Sequence, residues 1–248
     1  MYLKKLAAAA AIAVGSMGSA YAIPVALELS LVIDVSGSIS AAEYNTQRAG
    51  YAAAFNDAGV QAAITSFSGG IAVNVVQFDT VARTPSQWFH LQNAADATSF
   101  ASALANLARL GSGSTCISCG IGGSIATFAN NGFEGARLVM DVSGDGLENV
   151  TNDASVQAQR DTAAALGIVI NGLAIEGDFG ALGVTNYYNS NVITANGFLV
   201  TATSFADFQR AAIAKIGREV INETPEPGTL ALVGLAIAGL GFGARRRG

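Results

Sequence analysis

Leu27-Glu28-Leu29-Ser30-Leu31-Val32-Ile33-Asp34-Val35-Ser36-Gly37-Ser38 is the stretch on which the fold turns. Its first residues alternate apolar with polar and the next three are wholly apolar, as in a strand that becomes buried on both faces. Asp34 ends the strand, and a Ser/Gly turn follows. Ser40 and Glu43 then form a capping box that opens a helix from Ala41 to Phe55. Outward from this unit the same alternation recurs. Strands are predicted at Ile71 to Phe78, Leu138 to Val142, Ile168 to Ile175 and Phe198 to Thr201. Helical patterns separate them at Ser99 to Leu110, Ile117 to Phe128, Ala154 to Leu166 and Ser204 to Ile221. Strands that alternate with helices pair in parallel, so the expected architecture is a three-layer α/β sandwich, Rossmann-like, with a mostly parallel sheet and helices on both faces.

Such a sheet binds ligands beyond the carboxyl ends of its strands, where the strand order reverses. Asp34 follows the first strand, and Asp145 follows the strand that starts at Leu138. Gly111-Ser112-Gly113-Ser114-Thr115 sits in a loop just before a helix. Asp34, Ser36 and Ser38 place one carboxylate and two hydroxyls on alternate residues of a single turn, so their oxygens can converge on one hard cation. Turn and capping chemistry alone could also place an Asp and two serines there. In order and in structural slot, however, Asp34-Val35-Ser36-Gly37-Ser38, Thr115 and Asp145-Gly146 resemble the metal-ion-dependent adhesion site of the von Willebrand factor A domain, D-x-S-x-S with a later Thr and a later Asp-Gly. The resemblance spans roughly Leu27 to Ile221. It implies that Ser36, Ser38 and Thr115 offer hydroxyl oxygens to Mg2+, with Mn2+ or Ca2+ as alternatives, and that Asp34 and Asp145 bind directly or through water. It also implies an open position for a carboxylate presented by a protein or extracellular-matrix partner. One departure is that Gly144 precedes Asp145, where the family usually has Thr. Asn186-Tyr187-Tyr188, Val192-Ile193, Gly197-Phe198 and the helix with Phe205, Phe208 and Lys215 look like a bacterial branch of exported A-like domains with no assigned function; packing accounts for the aromatics.

The ends of the 248-residue chain read differently. Lys4 and Lys5 precede an apolar stretch from Leu6 to Val14, and Ala20-Tyr21-Ala22 offers small residues to a signal peptidase, so residues 1–22 read as a signal peptide. Residues 23–222 then form one domain. Residues 223–248 hold Pro225-Glu226-Pro227, an apolar segment at about 229–244 and Arg245-Arg246-Arg247. This resembles the PEP-CTERM sorting signal, which implies recognition by an exosortase-type processing enzyme. As a helix, the apolar segment would reach ~24 Å against a hydrocarbon core of ~30 Å, so a transmembrane helix here would rely on arginine snorkelling. The three arginines would hold its end in the cytoplasm, and the prolines would keep the adjacent backbone extended and accessible to a protease. The expected route is export, transient anchoring in the inner membrane, and delivery to the cell surface or extracellular matrix.

The whole chain is 51% apolar and 12% charged, with a net charge of −5. Its basic residues cluster at the two ends, so the middle is more acidic still. That excludes nucleic acid, which needs a basic face. Cys116-Ile117-Ser118-Cys119 holds the two cysteines of the chain. In an oxidising compartment they are expected to form a disulfide, while a Cys-x-x-Cys at a helix start also fits a redox pair. The lone His90 lies beside Trp88 and Phe89 with no nucleophile elbow, which argues against a Ser-His-Asp hydrolase. Asp141 to Asp145 imitates an EF-hand opening, but its twelfth position is Asn152, not Glu. Gly120-Ile121-Gly122-Gly123 falls inside a helix, so close packing rather than dinucleotide binding explains it. The expected function is metal-dependent binding and not catalysis. The rival classes are an enzyme, using the cysteine pair or metal-activated water, and a structural matrix protein whose metal only stabilises the fold.

Overall fold

The computed structural model describes residues 22–84, 87–177 and 179–221. Strand β1 (Ile23–Val25) leads into β2 (Leu27–Asp34), followed by helices α1 (Ala41–Asn56) and α2 (Ala58–Ser66) and by β3 (Ile71–Phe78). Two short strands, β4 (Ala82–Arg83) and β5 (Phe89–Leu91), and helix α3 (Ala94–Ala105) precede helix α4 (Ile117–Ile125). Strands β6 (Phe133–Gly135) and β7 (Leu138–Gly144), helix α5 (Asp153–Ala165) and strand β8 (Ile168–Ile175) continue the alternation. Helix α6 (Gly183–Tyr187) with a π-turn at Tyr188–Val192, strand β9 (Leu199–Ala202), a 3₁₀ turn at Phe205–Asp207 and helix α7 (Phe208–Ile221) complete it.

All eight residues of β2 and all eight of β3 are buried, because both faces of these strands are covered by helices. In the main sheet β3, β2, β7, β8 and β9 run parallel in that order, with β4 and β5 antiparallel to β3. On one face Leu29, Leu31 and Ile33 pack with Tyr51, Phe55, Phe100 and Phe208 of α1, α3 and α7. On the other, Val32, Val76, Met140 and Val142 pack with Ile117, Ile121 and Val156 of α4 and α5. The expected mostly parallel three-layer sandwich is therefore present. The chain steps from β2 outward to β3 and later returns to the opposite side of β2 with β7. The order reverses between β2 and β7, so a crevice opens beyond Asp34 and Gly144, which end these strands.

The capping box forms as expected: Ser40 Oγ accepts from Glu43 N–H at 3.2 Å, and Ser40 N–H donates to Glu43 Oε2 at 2.8 Å. Gly120 and Gly123 of α4 lie against Phe78 and Ala82 with no space for a Cβ, in keeping with the packing reading. Two differences stand out. Helix α2 was not expected; it starts where Asp57 Oδ1 caps Gly59 and Val60 N–H. The helix expected at Ser99 to Leu110 runs instead from Ala94 to Ala105, because Asn93 Oδ1 caps Ala95 and Asp96 N–H. Residues beyond its end are drawn off by Gln77 on β3, whose side chain binds Ala108 C=O and Leu110 N–H at 2.8 Å each. His90 lies on β5 with Nε2 2.7 Å from Gly69 C=O, as a structural strand histidine. The expected signal peptide up to Tyr21 and the tail from Asn222 fall outside the described residues. Among the described residues no helix is long and apolar enough to cross a membrane.

Candidate metal centre

The turn after β2 is built by its own side chain: Ser36 N–H donates to Asp34 Oδ1 at 2.7 Å, which curls the backbone around the carboxylate. Ser36 Oγ then lies 3.2 Å from Ser38 Oγ, and Ser38 Oγ donates to Asp145 Oδ1 at 2.8 Å. The turns after β2 and β7 thus meet through side-chain oxygens. Thr115 arrives from a third segment, with its Oγ1 3.3 Å from the position a Cβ on Gly146 would take. Thr115 N–H donates to Asn149 Oδ1 at 2.8 Å, and Asn149 N–H donates back to Thr115 C=O at 3.0 Å. The structure therefore brings together all five expected ligands, Asp34, Ser36, Ser38, Thr115 and Asp145, at the switch point. Asp34, Ser36 and Thr115 are buried, Asp145 is half-buried and Ser38 is exposed.

Residues that the sequence did not single out hold these turns. Arg109 donates to the carbonyls of Val35 and Ser36 at 2.9 and 2.7 Å, fixing the first turn. Asp79, directly after β3, accepts from Ser112 and Gly113 N–H at 3.1 Å each, and Thr80 Oγ1 accepts from Ser114 N–H at 3.0 Å. Burial pushes the Asp79 carboxyl up, but hydrogen bonds from Gly113 and Val81 and the Arg83 guanidinium outweigh it and leave the group below its ordinary value. Asp79 was visible only as one more polar residue at a strand's carboxyl end. Its role depends on a loop more than thirty residues away, so no local pattern announced it.

The departure at Gly144 has a steric cause. A Cβ there would lie 2.7 Å from both Asp34 Oδ2 and Tyr188 Oη, so a threonine has no room. Tyr188 is fully buried, and its hydroxyl borders the same space beside Gly144 as Asp34 Oδ2. Sequence reading assigned Tyr188 to packing alone; its ring does pack, against Gly172, while its polar end reaches the site.

Whether these residues suit a divalent cation is decided by Asp34. Its carboxylate is fully buried, and Oδ2 has no hydrogen-bond partner. Burial raises its pKa to about 7 against the lowering effect of Ser36, with nearby Asp145 raising it further. A buried carboxylate oxygen without a donor is costly unless a cation compensates it. Two carboxylates and three hydroxyls form an all-oxygen set of the kind Mg2+ accepts, so the residues fit. Among the described residues no group of three or more His, Cys, Asp and Glu side chains gathers, so the donors here are two carboxylates with three hydroxyls. Beside the site, Cys116 and Cys119 are joined by a disulfide at the start of α4, where Cys116 caps the helix.

This fold, with this turn arrangement at its switch point, is of the von Willebrand factor type A class. Solved structures of the same fold include proximal thread matrix protein 1 from the mussel byssus, 17% identical over 79% of this chain and 47% of that one, with a TM-score of 0.61. The pilus adhesin SpaC from Lactobacillus rhamnosus GG is 15% identical over 79% of this chain and 30% of its own, with a TM-score of 0.58. The vWF domain of the type V pili tip protein Mfa5 from Porphyromonas gingivalis is 12% identical over 81% and 96%, with a TM-score of 0.55. This chain thus spans less than half the length of the mussel protein, one structure of which has a zinc-occupied MIDAS motif. No curated protein matches the chain. The chain belongs to the family described as "Protein of unknown function (DUF1194)", which it matches over residues 24–224, and residues 223–247 match the PEP-CTERM protein-sorting motif.

Proposed function

We propose that this is an exported binding protein that uses a divalent-metal site of Asp34, Ser36, Ser38, Thr115 and Asp145 to hold an acidic group of a protein or matrix partner. The observation that carries the reading is the fully buried Asp34 carboxylate, with Oδ2 lacking a protein partner beneath converging hydroxyls. When bound, Mg2+ supplies positive charge and a coordination position open to an external carboxylate oxygen. The chain supplies the rest. Arg109 braces the turn after β2, Asp79 braces the Ser112–Gly113 loop that leads to Thr115, and Tyr188 fills the space beside Gly144 and Asp34. Val81, Leu110, Val150, Phe179 and Leu182 are five of the eight large apolar side chains exposed among the described residues, and all lie on loops at this end of the sheet. Exposed apolar groups around a polar centre suit a protein surface better than a small solute.

Nothing in this arrangement asks for catalysis. No histidine lies at the site, and the cysteines beside it are paired. The adhesin and matrix proteins that share the fold favour binding. The test is capture from the producing cells' surface and matrix fraction on the immobilised exported protein. Retention in Mg2+, release by EDTA and no retention on Asp34→Ala are expected; equal retention on the variant overturns the reading.

The sorting motif supports the rest of the proposal: residues 1–22 removed at export, 23–222 folded outside the cell, and 223–248 serving as a transient inner-membrane anchor at about 229–244 that an exosortase-type enzyme removes. The mature protein is expected to end between Pro225 and Gly228 and to lack Leu230 to Gly248. Mass spectrometry of the surface or secreted form checks this, and a chain still ending in Gly248 refutes sorting by cleavage.

A further inference from the structure

Away from the metal centre, four polar side chains meet inside the layer between the sheet and α7. Asp141 on β7 and Asn171 on β8 are partners in register, so they stand side by side on neighbouring strands. Lys215 and Glu219 lie one turn apart on α7 and face them. Lys215 Nζ is 2.6 Å from Asp141 Oδ1 and 2.5 Å from Glu219 Oε1, and Asn171 Nδ2 donates to Glu219 Oε1 at 2.9 Å. Lys215 and Asp141 are fully buried and Glu219 is 1% exposed. Tyr51 also neighbours Asp141, and the Phe198 ring lies 5.7 Å from Nζ.

As an ion cluster this arrangement is poor. One ammonium against two carboxylates leaves a net negative charge with no access to water, which costs several kcal/mol per ion in the interior. Neither Asp141 oxygen has a hydrogen-bond partner, although Nζ is 2.6 Å from one of them, so the approach lies outside hydrogen-bond angles. Glu219 Oε2 has no partner either. An amine held against a carboxyl at this distance, with a second acid touching the same nitrogen, is instead a condensation geometry. Holding two reactants in contact replaces the entropy that a bimolecular amide synthesis would have to supply.

We propose that Lys215 and Asp141 condense into an intramolecular isopeptide bond, with Glu219 as the catalytic residue that carries the proton. Lys215 first passes a proton to Asp141, giving a neutral amine and a neutral acid beside the Glu219 carboxylate. Nζ adds to Cγ of Asp141; Glu219 takes a proton from the nitrogen and returns it to the departing hydroxyl. The C–N bond forms, a C–O bond breaks, one water leaves and Glu219 is regenerated, with no other reactant. Burial favours the neutral starting pair, since it pushes the Asp141 carboxyl up and raises Glu219 to about 7, in both cases against the lowering effect of Lys215. The product turns an awkward buried ion cluster into a neutral amide that staples α7 to the central sheet, a useful device for a protein sent into a protease-rich exterior.

The test is tryptic mass spectrometry of the denatured, purified exported protein. Cleavage at arginine places Asp141 in residues 138–160 and Lys215 in residues 211–218. The expected product is a branched species of these two peptides, lighter than their sum by one water. In Glu219→Gln, whose side chain keeps its shape, bond formation should slow by about 100-fold or more, and the linear peptides 138–160 and 211–215 should dominate, since a free Lys215 is itself cut by trypsin. Linear peptides 138–160 and 211–215 of full mass from the wild type, with cleavage after Lys215, overturn the proposal. So does water loss confined to residues 138–160, or a branch from Lys215 to residues 161–210 with loss of ammonia, which would make Asn171 the acceptor. Undiminished bonding in Glu219→Gln overturns the role given to Glu219.

Discussion

Asp34→Ala is expected to abolish Mg2+ and Mn2+ binding while the protein stays folded. The carboxylate is the one fully buried negative charge among the five proposed ligands, and serine or threonine hydroxyls cannot replace its charge. Its removal should not unfold the metal-free protein: the Ser36 N–H bond to Oδ1 is lost, but Oδ2 has no protein hydrogen bond to lose and the desolvation cost of the carboxylate disappears with it, so the two effects offset. Two readouts therefore move in different ways. Titration calorimetry should show heat of binding for the wild type and none for the variant. In thermal unfolding, metal at about 100 times its Kd stabilises a binding-competent protein by about 2.7 kcal/mol. For a domain of this size that is a rise of about 5–10 °C in Tm. Asp34→Ala should show no such rise, with a metal-free Tm within a few degrees of the wild type's, as the lost Ser36 N–H bond and the relieved desolvation offset each other. Wild-type affinity in the variant would sink the site, whereas a large fall in metal-free stability would make Asp34 a structural residue.

The second large effect is expected at Gly144. In Gly144→Ala the added methyl must displace the Asp34 carboxylate, the Tyr188 hydroxyl or both, since it would lie 2.7 Å from each. Tyr188, which opens the π-turn, is locked in the core against Gly172 of β8, so it yields little. The expected cost is about 1–3 kcal/mol of stability, as for other overpacked interiors, together with at least tenfold weaker metal binding, an estimate of about 1.4 kcal/mol for a misplaced ligand. Denaturant unfolding and calorimetry measure the two separately. Adding Tyr188→Phe to Gly144→Ala removes one of the two clashing oxygens and should recover part of the stability. No recovery in the double variant would mean that the clash lies elsewhere.

Much of the fold was legible because it rests on local signals. Ile71 to Phe78 and Ile168 to Ile175 are apolar runs of strand length and appear as predicted. The helix from Ala41 starts where its capping box says it must. The segment from Ser99 misled, because its apolar spacing continues past Ala105 while the backbone there is claimed by Gln77, a residue on another element. Proposed metal ligands on the Asp34 turn could be named because they lie on alternate residues of one turn, and Thr115, just before a helix, and Asp145, after a strand, because they complete the pattern that resembles the metal-ion-dependent adhesion site. Arg109, Asp79 and Tyr188 could not be named in the same way. Each acts on a partner at least thirty residues away in sequence, and the identity of that partner is a matter of which strands become neighbours.

The sequence by itself determined the order of the five parallel strands and of five of the helices, the acid-and-hydroxyl turn after the first long strand and the chemistry available there, since these depend on side-chain types and short spacings. Only the tertiary structure decided that β7 lies beside β2, so that Asp145 meets Ser38, and that Tyr188 occupies the space a threonine at position 144 would need. It alone also set Lys215 against Asp141. Contacts of this kind are made by sheet order and by burial on a shared face, and those arise from how the whole chain covers its apolar surface, not from any one stretch of it.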